Sequence, residues 1–368
     1  MSPASIKEQL PFALSLARMG GINPGDAKKL IDSFGSARGV FDAAREEIAR
    51  VLDPGRHAAA KAEKILSFDG LKKTGQEIAQ ALDLGIAFLI YGMEGYPESL
   101  GNIPDPPVVL FVRGRVDKRD FLSLSVVGTR NPTTYGRSTT RMLSGELAAC
   151  GLTIVSGLAR GVDSEAHAAA LNGGGRTIAV VGTGLDMTYP RENTRLAGKI
   201  AANGAVISEY PPGAGPDPWH FPERNRIIAG LGLGTLVVEA PVKSGALITA
   251  RLAAEYNREV MAVPGNITSS RSAGCNRLIK DGAVSVSGTE DALNALGLER
   301  EIIRKTASPP ALSPQEALIL QAMGEEGDLA ENIIQKSGLL PQAVSAILLQ
   351  LELRGVVRRN PGNIYTSV

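Results

Sequence analysis

Two patterns of hydrophobic positions divide the chain. Residues 1–80 place apolar side chains at helical spacing, with an interruption at the glycine-bearing stretch 20–25. From about residue 81 to residue 298, short and nearly continuous apolar runs alternate with helical stretches. The first pattern predicts amphipathic helices, and the second predicts strands that are buried on both faces of a sheet. We therefore expect a helical domain over 1–80 and an α/β domain over 81–298.

Eight of the apolar runs are rich in β-branched residues and are predicted to be strands. They are 86–91, 108–112, 122–127, 152–155, 177–181, 205–208, 235–238 and 259–263. Strands that alternate with helices in this way form a mainly parallel, doubly wound sheet, so the expected fold class is α/β and Rossmann-like. Ligands of such sheets bind outside the carboxyl ends of the strands, and the loops there are the candidate sites.

The C-terminal region has a third pattern. A charged, proline-bearing stretch at 299–313 predicts a linker, and residues 314–368 predict three helices followed by a small hairpin. That order is typical of a winged helix. Residues 311–368 carry four basic and six acidic side chains, and the third helix is mostly apolar. A DNA-reading helix would present Arg, Lys, Asn or Gln, so we expect this domain to dock proteins or tune a dimer.

The N-terminal helices admit two interpretations. A helix, a glycine-bearing hairpin and a second helix resemble a helix-hairpin-helix (SAM-like) unit, in which Lys28 or Lys29 would assist backbone N–H groups in holding a DNA phosphate. Pro24 removes one of the hairpin donors. A small helical domain that only packs or docks is the alternative, and the sequence leaves the two open.

Composition narrows the function classes. The 39 basic and 38 acidic residues give a net charge of +1, so any phosphate-binding charge must be concentrated in loops. Two cysteines, Cys150 and Cys275, and three scattered histidines offer no disulfide framework and no metal-ligand set. No run approaches the roughly 20 apolar residues of a membrane span. We expect a cytoplasmic protein with no metal, no cofactor and no membrane partner.

Five loops that follow predicted strands combine glycine, hydroxyl and arginine residues. Glycine lets a backbone approach a phosphate closely, and the first N–H groups of a helix point at it with a favourable dipole. Serine and threonine add neutral donors, and arginine adds a charged, forked donor. The predicted DNA- or phosphate-binding residues are Gly128, Thr129, Arg130, Ser156, Gly157, Arg160, Arg191, Trp219, Phe221, Arg224, Asn225, Arg226, Ser244, Gly245 and Thr249.

Two aromatic residues stand out in these loops. Trp219, the one tryptophan, lies two residues before Phe221 in an arginine-flanked segment. An unpaired base stacks on such a ring with about 1–3 kcal/mol per base. Phe221 could equally be a core residue beneath the loop. No loop has the G-x-G-x-x-G spacing of a dinucleotide site or the G-x-x-x-x-G-K-[ST] of a Walker motif, which favours a nucleic-acid backbone or a mononucleotide.

Several motifs resemble those of the DprA/Smf (DNA-processing protein A) family, in the family's order. They are V-V-G-T-R-N-P-T-T-Y-G at 126–136, S-G-L-A-R-G-V-D-S-E-A-H at 156–167, F-P-E-R-N-R-I-I-A-G at 221–230, S-G-A-L-I-T-A at 244–250 and A-V-P-G at 262–265. The C-terminal stretch 337–357 is similar to that family's winged helix. The resemblance implies single-stranded DNA binding, delivery of the strand to the recombinase RecA in natural transformation, and a homodimer formed through the Rossmann-like domain.

The resemblance also implies residue roles. Arg130 and Arg191 match family positions that meet the DNA backbone, and Phe221 matches the ring that stacks a base. Relatives often carry a further cation three residues before that ring. This chain has Pro218 there, followed by Trp219, so stacking is expected to replace part of that charge.

Rival functions rest on a few acidic and histidine residues. Asp163 and His167, four apart, could perform acid–base chemistry but are expected to form a structural hydrogen bond. Glu239 in G-L-G-T-L-V-V-E resembles the acidic residue of nucleotide phosphoribohydrolases, although the surrounding glycines differ; we expect a buried carboxylate partnered by an arginine. Three hypotheses remain: a non-enzymatic recombination mediator, which we favour, a nucleotide hydrolase, and a scaffold that binds proteins alone.

Overall fold

The computed structural model describes residues 3–52, 56–298, 313–324, 327–353, 356–360 and 362–367. The chain forms two compact units, Met1–Ala307 and Ser308–Val368. Of the predicted linker at 299–313, all but Ser313 lies outside the described residues.

Six helices form the N-terminal region: α1 (Pro3–Arg18), α2 (Pro24–Phe34), α3 (Ala37–Asp42), α4 (Arg45–Val51), α5 (Arg56–Leu66) and α6 (Leu71–Asp83). The hairpin between α1 and α2 ends in a capping box. The Asn23 side chain accepts a hydrogen bond from the Asp26 N–H at 2.8 Å, and Pro24 occupies the first turn, where its missing N–H costs nothing.

These helices pack on the sheet of the α/β region and share one core with it, which includes Leu14 and Phe111. Arg18 binds Glu77 at 2.9 Å and reaches the carbonyl oxygen of Glu209. Lys28 donates to the Tyr91 hydroxyl at 2.7 Å and to a main-chain carbonyl at 3.0 Å. Because the Lys28 ammonium is used in packing, the structure favours the packing interpretation of this region over a phosphate-binding hairpin.

The α/β region contains a nine-stranded sheet: β1 (Ala87–Ile90), β2 (Val109–Gly114), β3 (Ser123–Val127), β4 (Thr153–Ser156), β5 (Thr177–Val181), β6 (Ala205–Ser208), β7 (Gly234–Val237), β8 (Glu259–Ala262) and β9 (Val284–Ser285). All eight predicted strands are present, with bounds within two residues. The ninth, at the sheet edge, is too short for a periodic pattern to show.

The strand order is β1-β2-β6-β5-β4-β3-β7-β8-β9. In this order, every pair of neighbouring strands between β6 and β9 is parallel. The pairs β1–β2 and β2–β6 are antiparallel. From β3 the chain builds the sheet in one direction as far as β6, and β7 then starts on the other side of β3. This is the topological switch point, where doubly wound folds form their ligand crevice. The predicted α/β, Rossmann-like class is confirmed.

Helices cover both faces of this sheet: α7 (Glu98–Gly101), α8 (Thr134–Ala149), α9 (Val162–Asn172), α10 (Thr194–Asn203), α11 (His220–Leu231), α12 (Gly245–Glu255), α13 (Ala273–Lys280) and α14 (Thr289–Ala295). Leu124 and Val126 of β3 belong to one core, and Val127 belongs to the other. Burial on both faces explains why the strands read as continuous apolar runs.

The second unit contains three helices and three short strands: α15 (Pro314–Met323), β10 (Asp328–Leu329), α16 (Ala330–Ser337), α17 (Pro341–Leu353), β11 (Val357–Asn360) and β12 (Ile364–Ser367). Its core includes Ile319, Ile333, Val344 and Leu348. The strands pair in the order β10-β12-β11, so the predicted winged helix is confirmed. No helix in the described ranges is long and apolar enough to cross a membrane.

Candidate functional site

The loops that follow β3 and β7 meet at the switch point. The Thr129 N–H donates to the Glu239 carbonyl oxygen at 2.7 Å. The Glu239 carboxylate is buried and accepts hydrogen bonds from the Thr133 N–H and hydroxyl, both at 2.8 Å. Thr133 in turn caps α8. The expectation that an arginine would partner Glu239 is wrong, because the carboxylate instead fastens the β7 end to the start of α8.

Glycines let these loops approach one another. A Cβ on Gly161, whose φ is +80°, would lie 2.4 Å from the Thr129 carbonyl oxygen, and a Cβ on Gly128 would lie 2.5 Å from the Val162 side chain. Neither position tolerates a side chain without movement of the backbone. The glycines of these two motifs thus serve the packing of the β3 and β4 loops.

Two predicted phosphate contacts on the β4 loop face inward. The Ser156 hydroxyl is fully buried and donates to the Val126 carbonyl oxygen at 2.6 Å. The Gly157 N–H donates to the Asp163 carboxylate at 3.2 Å. Both groups already have partners within the protein, so the structure does not offer them to a phosphate.

Arg224 is also internal. Its side chain is buried, and one guanidinium nitrogen donates to the Gly157 carbonyl oxygen at 2.7 Å and to that of Val180. Burial lowers the pKa of Arg224 to about 10, against the opposing effect of the Asp163 carboxylate. Burial likewise raises the pKa of Asp163, and Arg224 opposes that shift. Arg224 therefore holds the ends of β4 and β5 together and is not a free cation.

The predicted Asp163–His167 hydrogen bond is wrong. The Asp163 carboxylate accepts from the Gly157 and Ala159 N–H groups, and His167 is bonded through Nδ1 to the Thr177 hydroxyl at 2.6 Å. Burial lowers the pKa of His167 to about 3. A histidine with that pKa stays neutral at physiological pH and makes a poor proton shuttle.

Arg226 is the second predicted cation that the structure places inside. It pairs with the Glu209 carboxylate and donates to the Asp105 carbonyl oxygen at 2.7 Å. Its guanidinium joins α11 to loops at the edge of the core. For Arg224 and Arg226 the predicted phosphate contact is replaced by structural contacts.

Three other arginines are exposed at the carboxyl edge of the sheet. Arg130 lies after β3, and its guanidinium carbon is 5.9 Å from the centre of the Phe221 ring. Arg191 lies in a 3-10 turn, Arg191–Asn193. Neither Arg130 nor Arg191 forms an ion pair with another residue that the structure describes. Arg160 pairs with Glu192 at 2.7 Å, with both side chains more than half exposed.

The aromatic side chains gather beside these cations. Phe221, at the start of α11, is half-buried, and its ring centre is 5.6 Å from that of Tyr189. Gly182 lies beneath the Phe221 ring. Trp219 immediately precedes α11 and is 77% exposed. The sequence predicted Phe221 and Trp219 but missed Tyr189, whose signal was its place beside Arg191 in the motif Y-P-R.

A cleft of about 580 Å³ brings Arg130 together with Phe221 and Tyr189, whereas Arg160, Arg191 and Trp219 are not among its lining residues. On one side it is lined by Gly128, Thr129, Arg130, Tyr189 and Phe221, and on the other by the start of α12. Its lining on that second side comprises Lys243, Ser244, Gly245, Ala246, Ile248 and Thr249, with Asn225 and the inward-facing Arg224 and Asp163 at the floor. The sequence did not single out Lys243, because it lies just before the motif at 244–250 and outside it.

The start of α12 lines the cleft with the capped first turn of a helix. The Ser244 hydroxyl accepts from the Ala246 N–H at 3.3 Å and caps the helix, while Gly245 is exposed and a Cβ added to it would meet no atom within 4 Å. Thr249 lies one turn further and is buried. The Asn225 amide is 3.5 Å from the Gly245 carbonyl oxygen and connects α11 to α12. The helix dipole and the Lys243 ammonium both favour negative charge here.

A larger groove of about 900 Å³ lies next to the cleft, between α12 and α13, and shares Lys243, Ser244 and Gly245 with it. Its cations include Arg277, which pairs with Asp281 at 3.5 Å. None of the residues that line this groove is aromatic, so it offers no ring for a base. Size alone does not identify the site, and the cleft has the better chemistry.

Comparison with protein-family models gives two matches. The model described as DNA recombination-mediator protein A matches residues 87–297, and the DprA winged helix domain model matches residues 304–363. Protein Smf of Synechocystis sp. is 36% identical over 391 residues, which cover 96% of this chain and 98% of that protein.

The solved structures that are similar to this chain include two of DNA processing protein A. The X-ray structure of DNA processing protein A (DprA) from Streptococcus pneumoniae aligns with a TM-score of 0.67 and 36% identity, covering 77% of this chain and 97% of that one. A structure that addresses the single-stranded DNA binding mode of DNA processing protein A from Helicobacter pylori aligns with a TM-score of 0.52 and 33% identity, covering 57% of this chain and 95% of that one.

Proposed function

This chain belongs to the DNA recombination-mediator protein A family, and on that premise we propose that it binds single-stranded DNA in the cleft at the switch point. The observation that carries the proposal is the position of the Arg130 guanidinium beside the Phe221 ring. A charged donor and an aromatic ring within one cleft meet the two needs of an unpaired nucleotide, whose phosphate is anionic and whose base has a flat apolar face. The H. pylori relative, described as a single-stranded DNA binder, supports the same ligand.

Several residues would share the work. Arg130 and Lys243, which line the cleft, and the exposed Arg191 outside its lining would supply charge to the backbone, and the first turn of α12 at Ser244 and Gly245 would supply N–H donors. Phe221 and Trp219 supply rings. In a duplex the bases are paired and stacked inside, so the rings would find no face to contact; the cleft thus favours single strands over double strands.

Family membership supports a proposal about the broader role. We propose that the protein hands the bound strand to the recombinase RecA during natural transformation, that it acts as a homodimer joined through its α/β region, and that it works in the cytoplasm by binding and without catalysis. The description of the family as a recombination mediator supports the first of these.

A phosphoribohydrolase activity is the second candidate and is less well supported. Its acidic residue would be Glu239, but the Glu239 carboxylate is buried and already accepts two hydrogen bonds from Thr133. It does not line the cleft. A scaffold that binds proteins alone would leave the cleft without a ligand.

A gel-shift comparison of single- and double-stranded oligonucleotides at two salt concentrations tests the proposal. We expect tighter binding of the single strand, with a log–log salt slope of about −0.7 for each phosphate contacted. Free base released from a nucleoside monophosphate would favour the hydrolase. No binding and no release would leave the scaffold.

The role in recombination needs its own measurements. We expect RecA filaments to form faster on single-stranded DNA that carries this protein than on the same DNA coated with a single-strand-binding protein. Sedimentation equilibrium should give twice the mass of 38.5 kDa. A monomer, or filaments that form no faster, would contradict these two parts separately.

A further inference from the structure

Tyr189 places a large, partly exposed aromatic ring in the cleft. Its side chain is 43% exposed, and it lines the cleft together with Phe221 and Arg130. Its ring centre lies 5.6 Å from that of Phe221, with the two planes tilted by 44°. Phe221 is packed against Gly182 on its inner side, so Tyr189 presents the more open surface of the two.

The segment that carries Tyr189 is held in place at the β4 loop. The Asn193 amide donates to the Leu158 carbonyl oxygen at 2.8 Å, and the Arg160 guanidinium binds the Glu192 carboxylate through two hydrogen bonds at 2.9 and 2.7 Å. Hydrogen bonds to Glu192 raise the pKa of Arg160, and the nearby Tyr189 side chain contributes to that shift. Two exposed cations therefore belong to the elements around these rings: Arg130 lies beside Phe221, and Arg160 is bonded to the segment that follows Tyr189.

The spacing of the two rings suits an extended strand. Successive nucleotides of one strand in a double helix rise by about 3.4 Å, which is also the distance between their stacked bases. Ring centres 5.6 Å apart cannot accept two bases at that separation. Two neighbouring bases can each contact one of these rings only when they are drawn apart from one another, as they are in an extended single strand.

We propose that Tyr189 is a second base-contact residue, so that two successive bases of a single strand rest on Phe221 and Tyr189 while Arg130 and Arg160 meet the phosphates on either side. This inference rests on the proposed function and adds to it the way in which the cleft rejects stacked bases. The alternative is that Tyr189 only supports the Phe221 ring and never touches DNA.

An oligonucleotide with abasic sites keeps the phosphates and lacks the bases, so it shows whether a loss of affinity involves the bases. A Phe221→Ala background then separates the two roles, because a Tyr189 that only supports Phe221 has nothing left to support there, whereas a Tyr189 that contacts a base still contributes. We expect Tyr189→Ala to weaken binding of an oligothymidine by about fivefold or more, the equivalent of one stacked base. It should leave the affinity for an abasic oligonucleotide of equal length unchanged. Tyr189→Phe, which keeps the ring, should bind both as the wild type does.

Tyr135 provides a matched control, because it is a tyrosine of similar exposure that does not line the cleft. Tyr135→Ala should not change the ratio of the two affinities. The inference is overturned if Tyr189→Ala binds oligothymidine like the wild type, if it loses the same factor on the abasic strand, or if it causes no further loss on oligothymidine in the Phe221→Ala background. A wild-type protein that does not bind oligothymidine overturns the proposed function as well. Thermal unfolding of each variant shows whether its fold is intact.

Discussion

Arg130 and Phe221 lie 91 positions apart in the sequence and meet in the cleft, where the Arg130 guanidinium carbon is 5.9 Å from the centre of the Phe221 ring. One residue follows β3 and the other begins α11, so the contact exists only when the sheet and its helices are assembled. A cation beside an aromatic face also stabilises the pair by about 0.5–1 kcal/mol at an exposed site. This contact is where phosphate and base recognition would coincide.

Arg130→Ala should weaken binding of single-stranded DNA about tenfold, because a hydrogen bond to a charged group contributes about 1.5–3 kcal/mol. The salt slope should fall by about 0.7. Fluorescence anisotropy with a labelled oligothymidine at several salt concentrations measures both quantities.

Arg119→Ala is the matched control for this experiment. Arg119 lies in the 3-10 turn that precedes β3, at the opposite end of that strand, and pairs with Asp117 at 2.8 Å. Its removal should leave DNA affinity unchanged. Equal losses in the two variants would mean that the cleft has no special part in binding.

Trp219 fluorescence should report on the bases directly. It is the one tryptophan of the chain and is 77% exposed, so an unpaired base that stacks on it will quench its emission. Single-stranded DNA should quench more than duplex at equal phosphate concentration. Quenching of equal depth by both would argue against stacking at this residue.

Glu192→Gln should strengthen binding of single-stranded DNA by a few-fold. The Glu192 carboxylate holds the exposed Arg160 guanidinium at 2.7 Å and competes with a phosphate for it. Exposed ion pairs are weak, so the gain should stay below about fivefold. In an Arg160→Ala background the same change should have a smaller effect. A gain that persists undiminished there would mean that Glu192 acts through general repulsion.

Arg224→Met should destabilise the fold more than it alters the cleft surface. The change leaves the Asp163 carboxylate buried without its cation and the Gly157 carbonyl without a donor. A buried charge left without compensation costs about 3–5 kcal/mol. Urea unfolding measures the loss. Arg191→Met is the control, because Arg191 is exposed and its loss should change stability by less than about 0.5 kcal/mol. Similar midpoints for the two variants would contradict the internal role of Arg224.

His167 should make the stability of the protein depend on pH. Its pKa in the folded state is about 3, against 6.5 for a free histidine. Below pH 6.5 the unfolded chain binds a proton that the folded protein does not. The free energy of unfolding should therefore fall by about 1.4 kcal/mol per pH unit from this group as the pH drops toward 3, and show no such dependence above 6.5.

His167→Gln removes that titration and keeps a polar partner for Thr177. Chemical denaturation at pH 7.5 and pH 5 should show a smaller loss of stability for this variant than for the wild type. The same loss in both proteins would mean that His167 is not held neutral by burial.

The eight predicted strands and the winged helix were found from the sequence because their signals are local. An apolar run such as Thr177–Val181 marks a strand buried on both faces wherever it lies in the chain. The ninth strand, of two residues, has no period to detect. The location of the site at strand ends followed from the general geometry of parallel sheets.

The roles of individual polar residues could not be predicted in the same way. Arg130 and Arg224 both lie in loops or first turns beside glycine-rich motifs, yet one is exposed and the other is 5% exposed with its donors on main-chain carbonyls. A guanidinium has the same donors in either setting. Whether an arginine is an exposed cation or a buried structural donor depends on the carbonyl oxygens near it. For Arg224, the packing of β4, β5 and α11 supplies them.

The sequence by itself determined the fold class, the order of the elements and the strand ends at which a candidate site is expected, because hydrophobic periodicity and glycine placement act over a few neighbouring residues. Only the tertiary structure decided that Ser156, Arg224 and Arg226 bind protein groups, and that Tyr189 stands beside Phe221. Burial and hydrogen-bond partnership are properties of groups that meet in space, and residues distant in the chain decide them.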